Sequence, residues 1–398
     1  MFEKILVKTG SNPNEHFLPI ADLIDMMFYY GEVHVIVSQF ELAQLLNSFG
    51  EDVLYHLITS KRLFIHPCDQ HIGAGVYGND MYSIGLYSRN IRSIDSLLYQ
   101  FHREAVNNSS ENMRFASKFS KVLEQYKYSE SVQKLLDNDI YDNNELSRLT
   151  KAFVRQYYPK YGDIDDIQLQ ATPVRSELNG IFKIESNLRF EEFNKLHQEY
   201  GYSGLFSLTS VLLAIGETAA DCCFTSEKTL ELLPTLRWNG LYKQRMNDAI
   251  NKVLKNKETI ENFHNAEALD FLSPGVAFVN GNITSAQMLD ELLGKNSVDF
   301  RNLLITLPND ANLTSQVNEA VIANGSQKWP VKVGRILFQI IPGIVVGAIT
   351  QNPAIGTIVG TSTTVLDGIF GDKILNGWNP RIFVNEVLRD DALKNTKE

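Results

Sequence analysis

A chain of 398 residues with 44% hydrophobic and 21% charged side chains has a globular composition, which excludes long disordered stretches as the default. The formal net charge of -10 repels phosphate backbones, and this argues against nucleic acid as a partner. The length suits about two or three domains.

The first 90 residues alternate between strand and helix patterns. Short apolar or β-branched runs predict strands at Glu3 to Lys8, Glu32 to Val37 and Leu63 to His66. Apolar residues at helical spacing predict helices between these strands, at 17–30, 40–49 and 52–60. This order is typical of a small parallel or mixed sheet with crossover helices. Residues 1–90 are therefore predicted to form an α/β unit.

Helical patterns dominate residues 91–200. Apolar positions three and four residues apart predict helices at Arg92 to Ala105, Glu111 to Tyr126 and Asn143 to Tyr158. Two alternating runs, Ile167 to Ala171 and Ile181 to Ile184, interrupt them. These runs predict either a β-hairpin or two strands that return to the first sheet.

The remaining residues, 201–398, are predicted to be all helical because almost no strand pattern occurs beyond Phe190. The helices expected there include Leu205 to Ala220, Glu227 to Leu233 and Tyr242 to Lys255. The predicted fold class is α+β: a small N-terminal α/β unit with a mixed sheet, then a large mainly helical body that ends in an apolar helical hairpin.

That hairpin is predicted from an uncharged apolar stretch, Ile336 to Leu366. As one straight helix its roughly 31 residues would be about 46 Å long, more than the ~30 Å hydrocarbon core of a bilayer. Pro353 breaks the stretch, because proline removes a hydrogen-bond donor and clashes with the preceding turn. Two short helical arms are the expected result.

Each arm of the predicted hairpin carries a pair of glycines, Gly343 with Gly347 and Gly356 with Gly360. Small residues at this spacing let two helix backbones approach closely, in lipid or in a protein core. The amphipathic helices elsewhere need an apolar partner, which favours a buried core hairpin. The two alternatives are a hairpin released into a membrane by a trigger and a constitutive membrane anchor.

Three potential zinc ligands lie at the end of a predicted strand and just after it: His66, Cys68 and His71. Imidazole and thiolate groups bind zinc, but structural zinc normally takes four protein ligands, and this spacing matches no standard motif. An ordinary loop is therefore the favoured interpretation over a divalent metal site.

No other cofactor is predicted, and no catalytic motif is complete. The glycines from Gly73 to Gly78 precede a strand-like run, whereas a dinucleotide-binding loop opens a helix. The carboxylates from Asp163 to Asp166 lack the further ligands of a nuclease metal site.

The N-terminal residues and the cysteines predict a cytoplasmic protein. Acidic Glu3 and a short apolar run differ from a secretory signal. Cys68, Cys222 and Cys223 give no even set for disulfides, so reduced thiols are expected.

Because no catalytic set is complete, the leading hypothesis is a non-catalytic cytoplasmic binding or sensing protein that recognises a protein or a small ligand. One alternative is a membrane-active effector that releases residues 336–366 on a trigger. The other is a hydrolase with a site at 66–71 or 163–166.

Overall fold

The computed structural model describes residues 3–8, 18–78, 80–91, 93–159, 161, 164–174, 180–199, 205–233, 238–245, 266–272, 274–306, 332–338 and 382–385. These residues form an α+β fold with two sheets.

The described residues contain strands that alternate with helices in the first third of the chain and continue beyond it. They are β1 (Lys4–Val7), β2 (Glu32–Val37), β3 (Leu63–Pro67), β4 (Gln70–Val76), β5 (Met81–Ser88), β6 (Leu169–Pro173), β7 (Ile181–Ser186), β8 (Glu231–Leu233), β9 (Ala266–Leu272), β10 (Lys332–Phe338) and β11 (Ile382–Asn385). One sheet has seven strands in the order β3-β2-β1-β8-β11-β10-β9, and the other has four in the order β4-β5-β7-β6.

The seven-stranded sheet is mixed. Strand β1 pairs in parallel with β2 and with β8, so that Ile5 lies opposite both Val33 and Glu231. Strands β3 and β11 continue the parallel part, while β10 runs antiparallel to both of its neighbours. The four-stranded sheet is antiparallel throughout.

The helices surround and separate the sheets. They are α1 (Ile20–Tyr29), α2 (Gln39–Phe49), α3 (Glu51–Thr59), α4 (Ile94–Ala105), α5 (Ser109–Phe119), α6 (Glu130–Tyr141), α7 (Asn143–Tyr157), α8 (Phe190–Glu199), α9 (Leu208–Lys228), α10 (Pro274–Val279), α11 (Ser285–Leu293) and α12 (Lys295–Thr306). A 3-10 turn at Ile164–Asp166 and a helical segment at 239–245 complete the described helical structure.

The two faces of the parallel strands belong to different cores, because successive side chains on a strand point to opposite faces. Val33, Val35 and Val37 of β2 pack in the core that also holds apolar residues of α1 to α5. Ile36 of the same strand packs on the other core, which contains the apolar residues of α9.

Helix α9 lies between the two sheets. Gly216 allows its close approach to the antiparallel sheet, because a Cβ atom there would lie 2.6 Å from Cγ2 of Ile72. Towards its other end, the Phe224 ring lies edge-on to His66 of β3, with 5.0 Å between centroids. By length and composition α9 is the one helix of the described residues that could cross a membrane, but 78% of its apolar window is buried inside the protein. Helix α9 is therefore a core helix in this fold.

A buried ion pair attaches α9 to its surroundings. Arg245, which is 1% exposed, donates from Nη2 to Oδ2 of Asp139 on α6 at 2.7 Å. The same guanidinium donates to the carbonyl of Ile215 at 2.9 Å and to Oγ1 of Thr218 at 3.1 Å. Segment 239–245, α6 and α9 are thus joined through one side chain.

The predicted α/β unit and the predicted β-hairpin are present. Strands β1, β2 and β3 occupy the predicted positions, and β6 pairs antiparallel with β7. Strand pairing crosses the predicted boundaries near residues 90 and 200. Strand β5 pairs with β7 across the first, and β1 pairs with β8 across both.

The prediction that residues 201–398 are all helical is wrong. Strands β8 to β11 lie in this region, and Glu231 to Leu233 form β8 rather than the end of a helix. The predicted apolar hairpin is wrong at its start, because Ile336 to Phe338 belong to β10 and pair with β9 and β11. Short apolar runs suit a buried strand as well as a helix, and partners distant in sequence decide between them. The rest of the hairpin lies outside the described residues, including Gly343, Gly347, Pro353, Gly356 and Gly360.

Replacing Arg245 by methionine should lower the free energy of unfolding by about 3–5 kcal/mol, because Asp139 would remain buried without its cation. The double variant Arg245→Met/Asp139→Leu should recover most of the loss. Oδ1 of Asp139 and Nη1 of Arg245 have no hydrogen-bond partner in the described residues, so the native pair is incompletely satisfied. Urea denaturation measures both changes. A double variant no more stable than the single one would contradict this account.

Candidate functional site

A cavity of about 400 Å³ lies at the carboxyl ends of β1, β2 and β3. In open sheets with parallel strands this edge is where ligands bind, outside the ends of the strands. The lining comes from the residues that follow each strand, from the first turn of α2 and from the middle of α9. Its charged side chains are Lys8, Glu41, Asp69, Arg89 and Glu217.

One of the two cations that line the cavity is Lys8, which directly follows β1 and is 14% exposed. Its Nζ lies 2.9 Å from Oδ1 of Asp221 on α9. Burial lowers the pKa of Lys8, but the negative charges of Asp221, Glu217 and Glu41 outweigh burial and raise the pKa above its usual value. Lys8 is therefore a fixed ammonium at neutral pH and not a free amine nucleophile.

Asp221 is fully buried and is held from two sides. Besides the ion pair with Lys8, its Oδ2 accepts a hydrogen bond from the Tyr242 hydroxyl at 2.5 Å. Glu217 precedes Asp221 by one helical turn, so both carboxylates lie on the same face of α9.

Glu41 is positioned by the start of α2. Ser38 is the N-cap, and its backbone N–H donates to Oε2 of Glu41 at 2.8 Å in a capping box. This arrangement satisfies N–H groups that the first helical turn leaves free. It also keeps the Glu41 carboxylate, which is 8% exposed, at the wall of the cavity.

Asp69 has a structural role. Its carboxylate accepts hydrogen bonds from Oγ of Ser88 at 3.0 Å, from N of Ile91 at 3.1 Å and from Nε2 of Gln125 at 3.0 Å. Burial raises the pKa of Asp69, but these hydrogen bonds outweigh burial and lower it. Asp69 therefore remains an anion that ties the β3–β4 connection to the residues after β5.

Two further titratable groups at the cavity, Cys68 and Tyr128, are held in protonated forms. Burial raises the pKa of the Cys68 thiol to about 11, and its Sγ donates to the Gln70 carbonyl at 3.5 Å. Burial and the negative charge of Asp221 raise the pKa of Tyr128 well above its usual value. Neither group is an activated nucleophile, which requires the deprotonated form.

The structure does not bring the three predicted zinc ligands together. His66 points to the face of the sheet that contacts α9, Cys68 is buried at the cavity, and His71 stacks against Tyr87 with 6.0 Å between ring centroids. Within the described ranges, no group of three His, Cys, Asp or Glu side chains is placed to hold a metal ion.

Other residues considered from the sequence also have structural surroundings. The glycines between Gly73 and Gly78 lie in β4 and in the turn after it, where Gly78 has a φ of 100°. Asp165 forms an ion pair with Arg155 at 2.8 Å on the surface. Cys222 and Cys223 are fully buried free thiols.

Sequence reasoning missed Lys8, Glu41 and Glu217. Lys8 and Glu41 each come within four residues of the end of a correctly predicted strand, and the carboxyl ends of parallel strands share one edge of a sheet. Glu217 and Asp221 are two acids four residues apart in an otherwise apolar helix. The positions of Lys8 and Glu41 become informative once the strands are taken as parallel. The spacing of Glu217 and Asp221 is visible in the sequence directly.

A second polar feature lies on the face of the sheet that contacts α9. Nδ1 of His34 on β2 and Nε2 of His66 on β3 are 3.0 Å apart, so that one ring donates to the other. His34 also stacks on Phe64, with 4.7 Å between centroids. Burial lowers the pKa of His34 to about 4 and that of His66 to about 3. Both rings are therefore neutral in the folded protein at neutral pH.

No family model, curated protein or solved structure matches the chain.

The histidine pair predicts loss of stability in mild acid. Below a pH of about 6.5 the unfolded chain takes up protons that the folded protein does not, so the free energy of unfolding falls as the pH falls towards 4. For His34 alone the loss between pH 7 and pH 5 should be about 2 kcal/mol. Urea denaturation at the two pH values measures it.

The double variant His34→Gln/His66→Gln should lose much less stability over this interval, because two of the titrating groups are gone. The matched control is His56→Gln, which changes an exposed histidine of α3 and should keep the pH dependence of the parent protein. An equal loss in the double variant and the parent would show that the pair does not cause the effect.

Proposed function

We propose that the protein is a non-catalytic cytoplasmic binding protein, and that its ligand is a small molecule with a protonated amine. The amine occupies the cavity beside Lys8, Glu41 and Glu217. The observation that carries the proposal is the excess of carboxylates around Lys8 at a cavity of ligand size.

The charges around Lys8 favour a second cation. Glu41, Glu217 and Asp221 all act on its ammonium. Together with Asp69 they make four carboxylates at or directly behind the cavity wall, against the two cations Lys8 and Arg89. Asp221 takes up the charge of Lys8 in a direct ion pair. An amine that enters the cavity meets Glu41 and Glu217, and charge-assisted hydrogen bonds to such groups are among the stronger ones in proteins.

Binding is favoured over catalysis because of the protonation states at the cavity. Lys8 is an ammonium ion, Cys68 is a thiol and Tyr128 is a phenol, for the reasons given by their pKa shifts. Nucleophilic catalysis needs such groups in their basic forms or next to a base. The cytoplasmic location is supported by the three cysteines, which are free and buried.

Titration calorimetry with hexylamine and with hexanoate tests the proposal. Hexylamine should bind to the protein and hexanoate should not, because the two probes differ mainly in the sign of their charge. The variant Glu217→Gln should bind hexylamine about 10- to 100-fold more weakly, as expected for the loss of a hydrogen bond to a charged group.

The matched control is Glu227→Gln. Glu227 lies on the same helix, but it is exposed and accepts a hydrogen bond from Ser129 outside the cavity. This variant should bind hexylamine as the parent protein does. Equal binding of hexylamine and hexanoate, or equal weakening by both substitutions, would contradict the proposed site.

A further inference from the structure

An open groove of about 900 Å³ lies beside the cavity. It runs along α4 and α5, and its lining includes Ser96, Gln100, Arg103 and Met113. Gln39 and Arg89 line both the groove and the cavity. The two spaces are therefore neighbours with a common wall.

The common wall contains a side-chain hydrogen bond. Nη1 of Arg89, which follows β5, donates to Oε1 of Gln39, the first residue of α2. Arg89 is an exposed residue, and exposed side chains change rotamer on a fast timescale without movement of the backbone. The Arg89 side chain can therefore leave Gln39 without a rearrangement of the backbone.

The two spaces carry charges of opposite sign. In the groove the guanidinium groups of Arg89 and Arg103 face the single carboxylate of Asp95. The lining of the cavity has the carboxylates of Glu41, Asp69 and Glu217 against Lys8 and Arg89, and Asp221 is paired with Lys8 behind it, so carboxylates are in excess there. Guanidinium groups bind carboxylates and phosphates through paired hydrogen bonds, so the groove suits an anionic group.

We infer that the cavity and the groove are two halves of one site for an elongated zwitterionic ligand, with its amine at Glu41 and Glu217 and its anionic group at Arg89 and Arg103. Arg89 leaves Gln39 when the anionic group binds. This inference rests on the proposed function, because it takes the amine position from it. Carboxylate and phosphate share the chemistry that the groove recognises.

The test compares three probe series at equal chain length: alkylamines, ω-aminocarboxylates and ω-aminoalkyl phosphates, each with two, four and six methylene groups. At one chain length at least, an anionic group should tighten binding about tenfold or more over the matched alkylamine, the effect of one charged hydrogen bond. Comparison of the carboxylate and phosphate series identifies the preferred anion.

Arg89→Gln and Arg103→Gln should each remove this gain, so that the zwitterionic probe and the matched alkylamine bind with nearly equal affinity. The matched control is Arg114→Gln, which changes an exposed arginine of α5 whose side chain lies 3.6 Å from Glu51. It should keep the gain that the parent protein shows. Circular dichroism and urea denaturation establish that each variant is folded.

Gln39→Ala should change the affinity for zwitterionic probes, relative to alkylamines, in the opposite direction. It removes the acceptor that holds Arg89, so zwitterionic probes should bind more tightly relative to alkylamines, because the free protein no longer favours the closed wall. A merely structural role of Gln39 would not produce this gain.

The outcomes separate the two proposals. If alkylamines bind but no anionic group at any length improves affinity, or if the gain survives both Arg89→Gln and Arg103→Gln, the two-part site is wrong and the amine site stands. If no alkylamine binds, the proposed function fails. A zwitterion that then still binds through Arg89 and Arg103 would leave the anionic half supported on its own.

Discussion

Asp221 is a fully buried carboxylate in a helix whose neighbours are mostly apolar. Burying an anion costs several kcal/mol unless a cation and hydrogen-bond donors reach it. Lys8 supplies the cation from the end of β1, and Tyr242 supplies the donor from the helical segment 239–245. Helix α9 therefore holds Asp221 favourably only when the edge of the sheet and segment 239–245 are both in place. This requirement links the helix between the sheets to structure on both sides of it.

The same ion pair affects the charge at the wall of the cavity. Asp221 offsets part of the positive charge of Lys8, and the carboxylates of Glu217 and Glu41 lie at the same wall. Glu217 reaches this wall because it lies one turn from Asp221. Glu41 reaches it because the capping box fixes the first turn of α2 directly after β2. The spacing along α9 and the capping box of α2 therefore fix both the positions of these two carboxylates and the negative charge at the cavity wall.

Local patterns were sufficient for β1, β2, β3 and the β6–β7 hairpin, whose apolar alternation lies within each segment. They failed for β8, because three residues carry no periodicity and their partner, β1, lies more than 200 residues away. The histidine pair was missed for a related reason. Contact between His34 and His66 depends on the parallel register that places Ile36 opposite His66, and register is a property of two strands together. The cavity could not be predicted even from a pair of strands, because it forms where the ends of three strands meet α9.

The histidine pair lies on the face of the parallel strands that contacts α9, and the cavity lies at the carboxyl ends of these strands. The two places differ in whether their polar groups are charged. Near the middle of the strands, the two imidazoles satisfy each other as neutral groups, and protonation of both would leave neither nitrogen able to accept the shared hydrogen bond. At the carboxyl ends of the strands, by contrast, charged side chains line the cavity, and Lys8 forms an ion pair with Asp221. Because the buried histidines are neutral at neutral pH, they add no positive charge beneath α9. Glu32, whose Oε2 lies 3.4 Å from Nε2 of His34, offsets the cost of burying a proton there only in part, since burial still lowers the pKa of His34. Protonation of the pair therefore destabilises the fold.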